Sequence, residues 1–406
     1  MHQYIEVEKL RAGYFGTEYK YRERGIKGKE RLAKLVPVSR RGKAKWVLEQ
    51  YYRKMVLRLP KHDNLIKIKA AFLNKVAEDG DDEEDMFLCT VWKVCGENSL
   101  NLNAYLLSRH DRLDDDAYKS LMMQLAQAME HLHSNGTAHN ALTPYSVIVV
   151  EGVKGQAVVK VGDYGLTQVC GSACNENYKP DGQLAKSLDF YLPPEAADEG
   201  WGHPGQANTT TDIFMLGLMF SAMAEHAVLE GADQNEETII ATFVKFPGYG
   251  AVPIGKFLNT NPSINLDQHL HRKLSHELRS LVRRMTLSDV DSRPPANGVI
   301  HMLTACQTIR GNEKSGEEAE THITARSSST LPRNMTSSLA RKTSMRKRAG
   351  TNPAMFNPCV SPPQMPRMSS ASVIKPPAPT KTSLIRRASL RASNYLRRSR
   401  SVKISN

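Results

Sequence analysis

The residues whose types and spacing could do chemistry fall in two sets. The first lies in the last hundred residues, where Arg or Lys stands just upstream of Ser or Thr several times over. The segments are RKTS (Arg341–Ser344), RRAS (Arg386–Ser389), LRAS (Leu390–Ser393) and RRSRS (Arg397–Ser401). A hydroxyl with a guanidinium at such an offset is a phosphoacceptor that the acidic pocket of a basophilic kinase can read. Ser344, Ser389 and Ser393 are therefore candidate modification sites, and upstream kinases are implied partners. Each phosphate would add about −1.5 to −2 charges and could reverse the local potential. The second set is scattered through the first three hundred residues: Gly13 and Gly16 in LRAGYFG, Lys34 in RLAK, His139 in HNALTPYSVIVV, Asp163 in GDYG, Glu195 in YLPPEAA, Asp212 in TTTDIFMLG and Arg293 in DSRPP. The six cysteines include no CxxC pair, and no His/Cys cluster completes a zinc site, so metal–thiolate chemistry has no support.

These residues need elements to position them. Period-two apolar stretches predict strands over Arg31–Val38, Asn64–Leu73 and Met86–Val94. A helix is predicted between the first two, over Ala44–Leu59. A longer one runs through AYKSLMMQLAQAMEHLHSNG, with apolar residues at three-to-four spacing and Gly136 as its stop. Two short strands follow, Ser146–Val150 and Ala157–Val161, and beyond Pro193 the pattern is mostly helical. The small first part is thus strand-rich with one helix, and the larger part is helical.

Charge divides the chain at the same place as composition. From Gly311 to the end there are 18 Lys+Arg against 4 Asp+Glu, whereas the preceding 310 residues hold 37 against 38. The net charge of +13 therefore describes the tail and says little about the body. Rich in Ser, Thr, Pro and basic residues, the tail cannot bury enough apolar surface to offset its ordering entropy, which predicts disorder over 311–406. The beginning MHQYIEVEKL lacks the apolar stretch of a secretory signal. The longest apolar run, Phe214–Ala224, is roughly half the length that crosses a bilayer. A reducing, cytoplasmic setting is the expectation, with a weak nuclear-import patch at Arg346–Arg348.

Taken in order, the segments of the body resemble the landmarks of the protein-kinase family, from about Tyr4 to Gln307. LRAGYFG resembles the glycine-rich loop, with Gly13 and Gly16 in place and Arg11 where the first glycine usually sits. Lys34 falls where the family places a lysine that contacts the α- and β-phosphates. Its helix partner in the family is a glutamate. Glu49 is the natural candidate, although the usual spacing back from His62 lands on Arg53. The loop from His139 resembles the catalytic loop H-R-D-x-K-P-x-N. His139, Leu142 and Pro144 are retained, while Asn140 replaces the arginine, Ala141 the catalytic aspartate, Thr143 the lysine and Ser146 the magnesium-binding asparagine. GDYG resembles the DFG motif, whose aspartate holds Mg²⁺, so Asp163 is the metal candidate. YLPPEAA resembles A-P-E. The resemblance further implies that Asp212 bonds the catalytic-loop backbone and that Arg293 forms a buried ion pair with Glu195.

The resemblance implies an α+β, two-lobed kinase-like fold over residues 1–310, with a small lobe to about residue 95 and a large lobe from about 96. It implies ATP as ligand, with or without Mg²⁺, held by Gly13, Gly16, Lys34 and Asp163. Arg11 and Ser146 weaken that expectation, and Trp92, near the back of the cleft, would restrict the adenine pocket. Alanine cannot accept a hydroxyl proton, and a general base is worth roughly 10²- to 10⁴-fold. The leading expectation is a pseudokinase, a regulated binding scaffold for a protein partner. A divergent active Ser/Thr kinase, with Asp163 as the nearest carboxylate, is the alternative. ARSSSTLP, with Arg326, Thr330 and Pro332, is similar to one docking class of 14-3-3 proteins, which makes such phospho-readers expected partners. The basic tail could also bind anionic membrane or nucleic acid by counterion release. It lacks the interleaved aromatics of a base-stacking surface, so that reading is not favoured. The acidic run EDGDDEED (Glu78–Asp85) reads as a solvated loop between two strands, with docking of the unphosphorylated tail on it as the alternative.

Overall fold

The computed structural model describes residues 4–310, apart from 26–27, 39–45, 47, 77–84, 97–98, 153–155, 168–181, 197–207, 230–237, 247–249, 263–265 and 267–273. The tail, with Thr330, Ser344, Ser389 and Ser393, and the acidic run up to residue 84 lie outside the described residues.

The strand-rich part is a five-stranded antiparallel sheet in the order β1-β2-β3-β5-β4. Its strands are β1 (Tyr4–Ala12), β2 (Thr17–Glu23), β3 (Glu30–Val38), β4 (Ile68–Val76) and β5 (Asp85–Lys93). The near-continuous apolar sequence of β3 follows from its central place, where six successive residues from Ala33 to Val38 are buried. Just before β2, nothing larger than Gly16 fits: a Cβ there would stand 2.0 Å from the Leu35 carbonyl oxygen on β3. Gly16→Ala is therefore expected to lower the urea midpoint, by about 2 kcal/mol on the scale of overpacked cores. An unchanged midpoint would show that the hairpin yields freely.

The helix expected over Ala44–Leu59 ends as a π-helical stretch, Tyr52–Arg58, whose buried anchor is Met55. A π-helix carries more residues per turn than an α-helix, which absorbs part of the long spacing between Glu49 and His62. The strand expected from Asn64 begins at Ile68 instead. Asn64 is buried and donates to the Gln124 side chain and the Val159 carbonyl, while Leu65 bridges to Val161. Asn64 and Leu65 thus connect the sheet to the helical part before β4 starts.

The helical part begins with β6 (Ser99–Asn101) and α1 (Leu102–Arg109). Next comes α2 (Asp115–Ser134), capped by Asp114, whose side chain accepts from the Ala117 amide at 2.8 Å. Its buried face, Tyr118, Leu121, Met122, Leu125, Met129 and Leu132, keeps the spacing seen in the sequence, and Gly136 follows at φ +63°. The strands β7 (Val147–Glu151) and β8 (Ala157–Val161) pair antiparallel beside β6. Five helices complete the part: α3 (Gly182–Tyr191), α4 (Thr209–Glu225), the short α5 (Ile254–Thr260), α6 (His276–Met285) and α7 (Ala296–Ala305). α4 is mostly apolar because it is buried along its whole length from Thr211, with Asp212, Ser221 and Glu225 as polar exceptions. The stretch beyond Pro193 is not wholly helical. Four short strands, Val228–Leu229, Ile239–Ile240, Phe243–Phe246 and Gly250–Pro253, form two small ribbons between α4 and α5. Strands of two to four residues are too short to show an alternation in sequence. One apolar core runs from the sheet through to α7. Among the described residues no helix is long and apolar enough to cross a membrane.

Candidate active site

Strand alternation turns Lys34 inward from β3, where it is buried. Its ammonium lies 2.8 Å from a carboxylate oxygen of Glu18 and is also bonded to Asp163. Glu18 and Lys34 are direct cross-strand partners in the β2–β3 register, the placement at which opposite charges attract. Burial alone would lower the Lys34 pKa, but Asp163 and Glu18 outweigh it and the ammonium is held above its ordinary range. Asp163 follows β8 with φ +58°, a left-handed conformation that Asp tolerates better than most residues. Glu49 is not the partner of Lys34: its carboxylate pairs with Arg53, one turn along, on the exposed side of the helix.

The loop after α2 is fixed by a single buried carboxylate. Asp212, on α4, accepts from the backbone amides of His139 (2.7 Å) and Asn140 (2.6 Å) and contacts His133 Nε2 at 2.9 Å. Asn140 turns the corner at φ +58°. The Ala141 amide donates to His139 Nδ1, so Nε2 carries the proton toward the Gly162 carbonyl, 2.8 Å away. Burial lowers the His139 pKa, which keeps the ring neutral. Ala141, Thr143 and Ser146 are all buried. The Ser146 hydroxyl accepts from the Thr143 amide and donates to the Thr143 carbonyl, closing the loop on itself.

Around this loop the scaffold contacts are dense. Arg293 makes a bidentate bridge to Glu195 at 2.7 and 2.8 Å. Tyr164, next to Asp163, donates its hydroxyl to the Ile66 carbonyl at 2.7 Å, a bond that phenylalanine could not make. Burial pushes the phenol pKa up and keeps it a donor. Trp92 stands edge-on to Tyr164 at 5.2 Å and spends its indole N–H on Thr90. Gly165 is needed at φ +76°, where a side chain would also strike Met55. Phe15, from the glycine turn, and Leu188, from α3, close the cleft between Asp163 and Ala141, leaving about 20 Å³ of free space, on the order of one water.

In the family the lysine meets the nucleotide phosphates while paired with a helix glutamate, and a second ligand beside the aspartate helps to hold Mg²⁺. Here Lys34 bonds Glu18 and Asp163, the Ser146 hydroxyl is turned into its own loop, and Phe15 and Leu188 narrow the phosphate end of the cleft. In this arrangement the phosphate end of the site does not fit Mg·ATP. Motif position points to Lys34 and Asp163 but not to Glu18. The signal was available: the family's glycine loop continues G-x-x-G-x-V, and Glu18 stands in the place of that valine.

A five-stranded sheet joined to a helical part, with a helix-to-strand loop held by a buried aspartate and braced by a buried Arg–Glu bridge, defines a protein-kinase fold. The family model described as protein kinase domain matches residues 4–303, and the chain belongs to that family. It is similar to a putative mitogen-activated protein kinase 14C of Drosophila melanogaster, 23% identical over 228 residues, covering 56% of each chain. It is also similar to two proteins of Caenorhabditis elegans named membrane-associated tyrosine- and threonine-specific cdc2-inhibitory kinases. One, wee-1.1, is 23% identical over 266 residues, 63% of this chain and 46% of the relative. The other, wee-1.3, is 27% identical over 161 residues, 39% of this chain and 19% of the relative. The chain thus spans about half the length, or less, of these curated relatives.

Proposed function

We propose that this kinase domain does not transfer phosphate and serves as a protein-binding scaffold, with its basic tail tuned by phosphorylation. The observation that carries this reading is Ala141, which leaves no proton acceptor at the catalytic-loop position where the family has its base. Supporting it, the groups that hold the fold (Asp212, Glu195 and Arg293) are fully engaged. An active enzyme would need another base. Asp163, which lines the cleft together with Ala141, is bonded to Lys34 and so is poorly placed to accept a proton. The relatives named as kinases bear on the family and not on this loop. In the tail, phosphorylated Thr330 would suit a 14-3-3-type reader and Ser344, Ser389 and Ser393 would be substrates of basophilic kinases. A radiometric phosphotransfer assay on the full chain, run beside a Lys34→Met and Asp163→Asn double variant, tests the reading. Transfer at background in both is the expected result. Transfer that disappears in the double variant would refute it.

A further inference from the structure

We propose, building on the non-catalytic reading above, that Glu18 stands in for a nucleotide phosphate at Lys34 and is the residue that keeps nucleotide out of the cleft. Four observations point the same way. Glu18 is charged yet only 5% exposed, and a buried carboxylate persists only when paired. Its pairing partner is the side chain whose position in the family contacts phosphate, at 2.8 Å. Its carboxylate sits beneath the glycine turn: a Cβ on Gly13 would come within 2.9 Å of Glu18 Oε1. Finally, an entering phosphate would meet two carboxylates, Glu18 and Asp163, against the one ammonium they already share. Unlike the helix glutamate of the family, Glu18 reaches Lys34 from beneath the glycine turn, so a phosphate and this carboxylate compete for the same place. Removing Glu18 leaves Lys34 paired with Asp163 alone.

The test is binding of ATP and ADP to the full chain by titration calorimetry, with and without Mg²⁺. Glu18→Gln keeps the shape and removes the charge, and Glu18→Val supplies the apolar residue the motif expects. No saturable binding is expected for the wild type. At least a tenfold gain is expected for Glu18→Gln and a larger one for Glu18→Val, lost again when Lys34→Met is added. Wild-type binding as tight as that of the variants would overturn the proposal. So would folded variants that still bind nothing, since the filled cleft alone would then be the barrier. Variants that no longer melt cooperatively also count against it, because a residue that only occupies the phosphate position is dispensable for folding. Phosphotransfer is scored separately. No gain in binding removes the role of Glu18 and leaves the Ala141 reading intact, whereas wild-type phosphotransfer defeats the non-catalytic reading itself.

Discussion

Arg293→Ala is expected to lower the unfolding free energy of the domain by about 3–5 kcal/mol, the usual loss when one half of a buried ion pair is removed. The guanidinium is fully buried and five contacts depend on it. It bridges Glu195 through both terminal nitrogens, donates to the Leu287 carbonyl at 2.8 Å and the Thr210 carbonyl at 3.1 Å, and lies over the Phe214 ring at 4.9 Å. Alanine would leave a carboxylate and two carbonyls without their donor. Lysine recovers little, because it lacks the planar fork that reaches three acceptors at once. Urea unfolding followed by circular dichroism measures the loss. A change below about 1 kcal/mol, the scale of an exposed pair, would mean that the bridge adds nothing the packing does not already supply.

The largest effect on chemistry is expected from repairing several positions of the site together, not from repairing its base. Ala141→Asp restores the proton acceptor, a group worth roughly 10²- to 10⁴-fold in an otherwise intact enzyme. On its own it should leave radiometric phosphotransfer at background. Phosphoryl transfer depends on positioning and on charge neutralisation of the nucleotide. Lys34 is shared between Glu18 and Asp163, and Ser146 is bonded within its own loop. Combining Ala141→Asp with Thr143→Lys, Ser146→Asn and Glu18→Val is expected to raise transfer at least about 100-fold over the wild type, the lower end of a general base's worth. Transfer by the single Ala141→Asp variant would show that the cleft already accommodates Mg·ATP.

The fold class and the order of its elements were legible because long apolar periodicities and spaced landmarks survive in the sequence. The apolar stripe of α2 and the sequence of β3 announce their own burial. The ribbons between α4 and α5 do not, since a two-residue strand has no period to read. In the site, motif position places Lys34 and Asp163 at the cleft. It does not give the carboxylate that completes their cluster. In TEYKYRE, Glu18 falls among alternating charges that read as the solvent face of a strand; its place at the valine of the glycine loop marks it as inward, and the register Glu18↔Lys34 gives its partner. Spacing along the helix favours Glu49, but a π-helical stretch shifts which residues face the sheet, and Glu49 meets Arg53. What sequence cannot supply is the cross-strand register and the phase of an irregular helix, both of which are settled by tertiary packing.

Tyr164 bears on how the two lobes move. Its hydroxyl, on the large lobe, is bonded to the Ile66 carbonyl beside the small one, and the Lys34–Asp163 pair crosses the same boundary. A working kinase must breathe at that boundary to admit substrate and release product, often on the timescale that limits turnover. A domain with no product to release is under no such demand. Its lobes can be latched, and a partner that docks across both would then meet a preformed surface and pay little ordering entropy on binding.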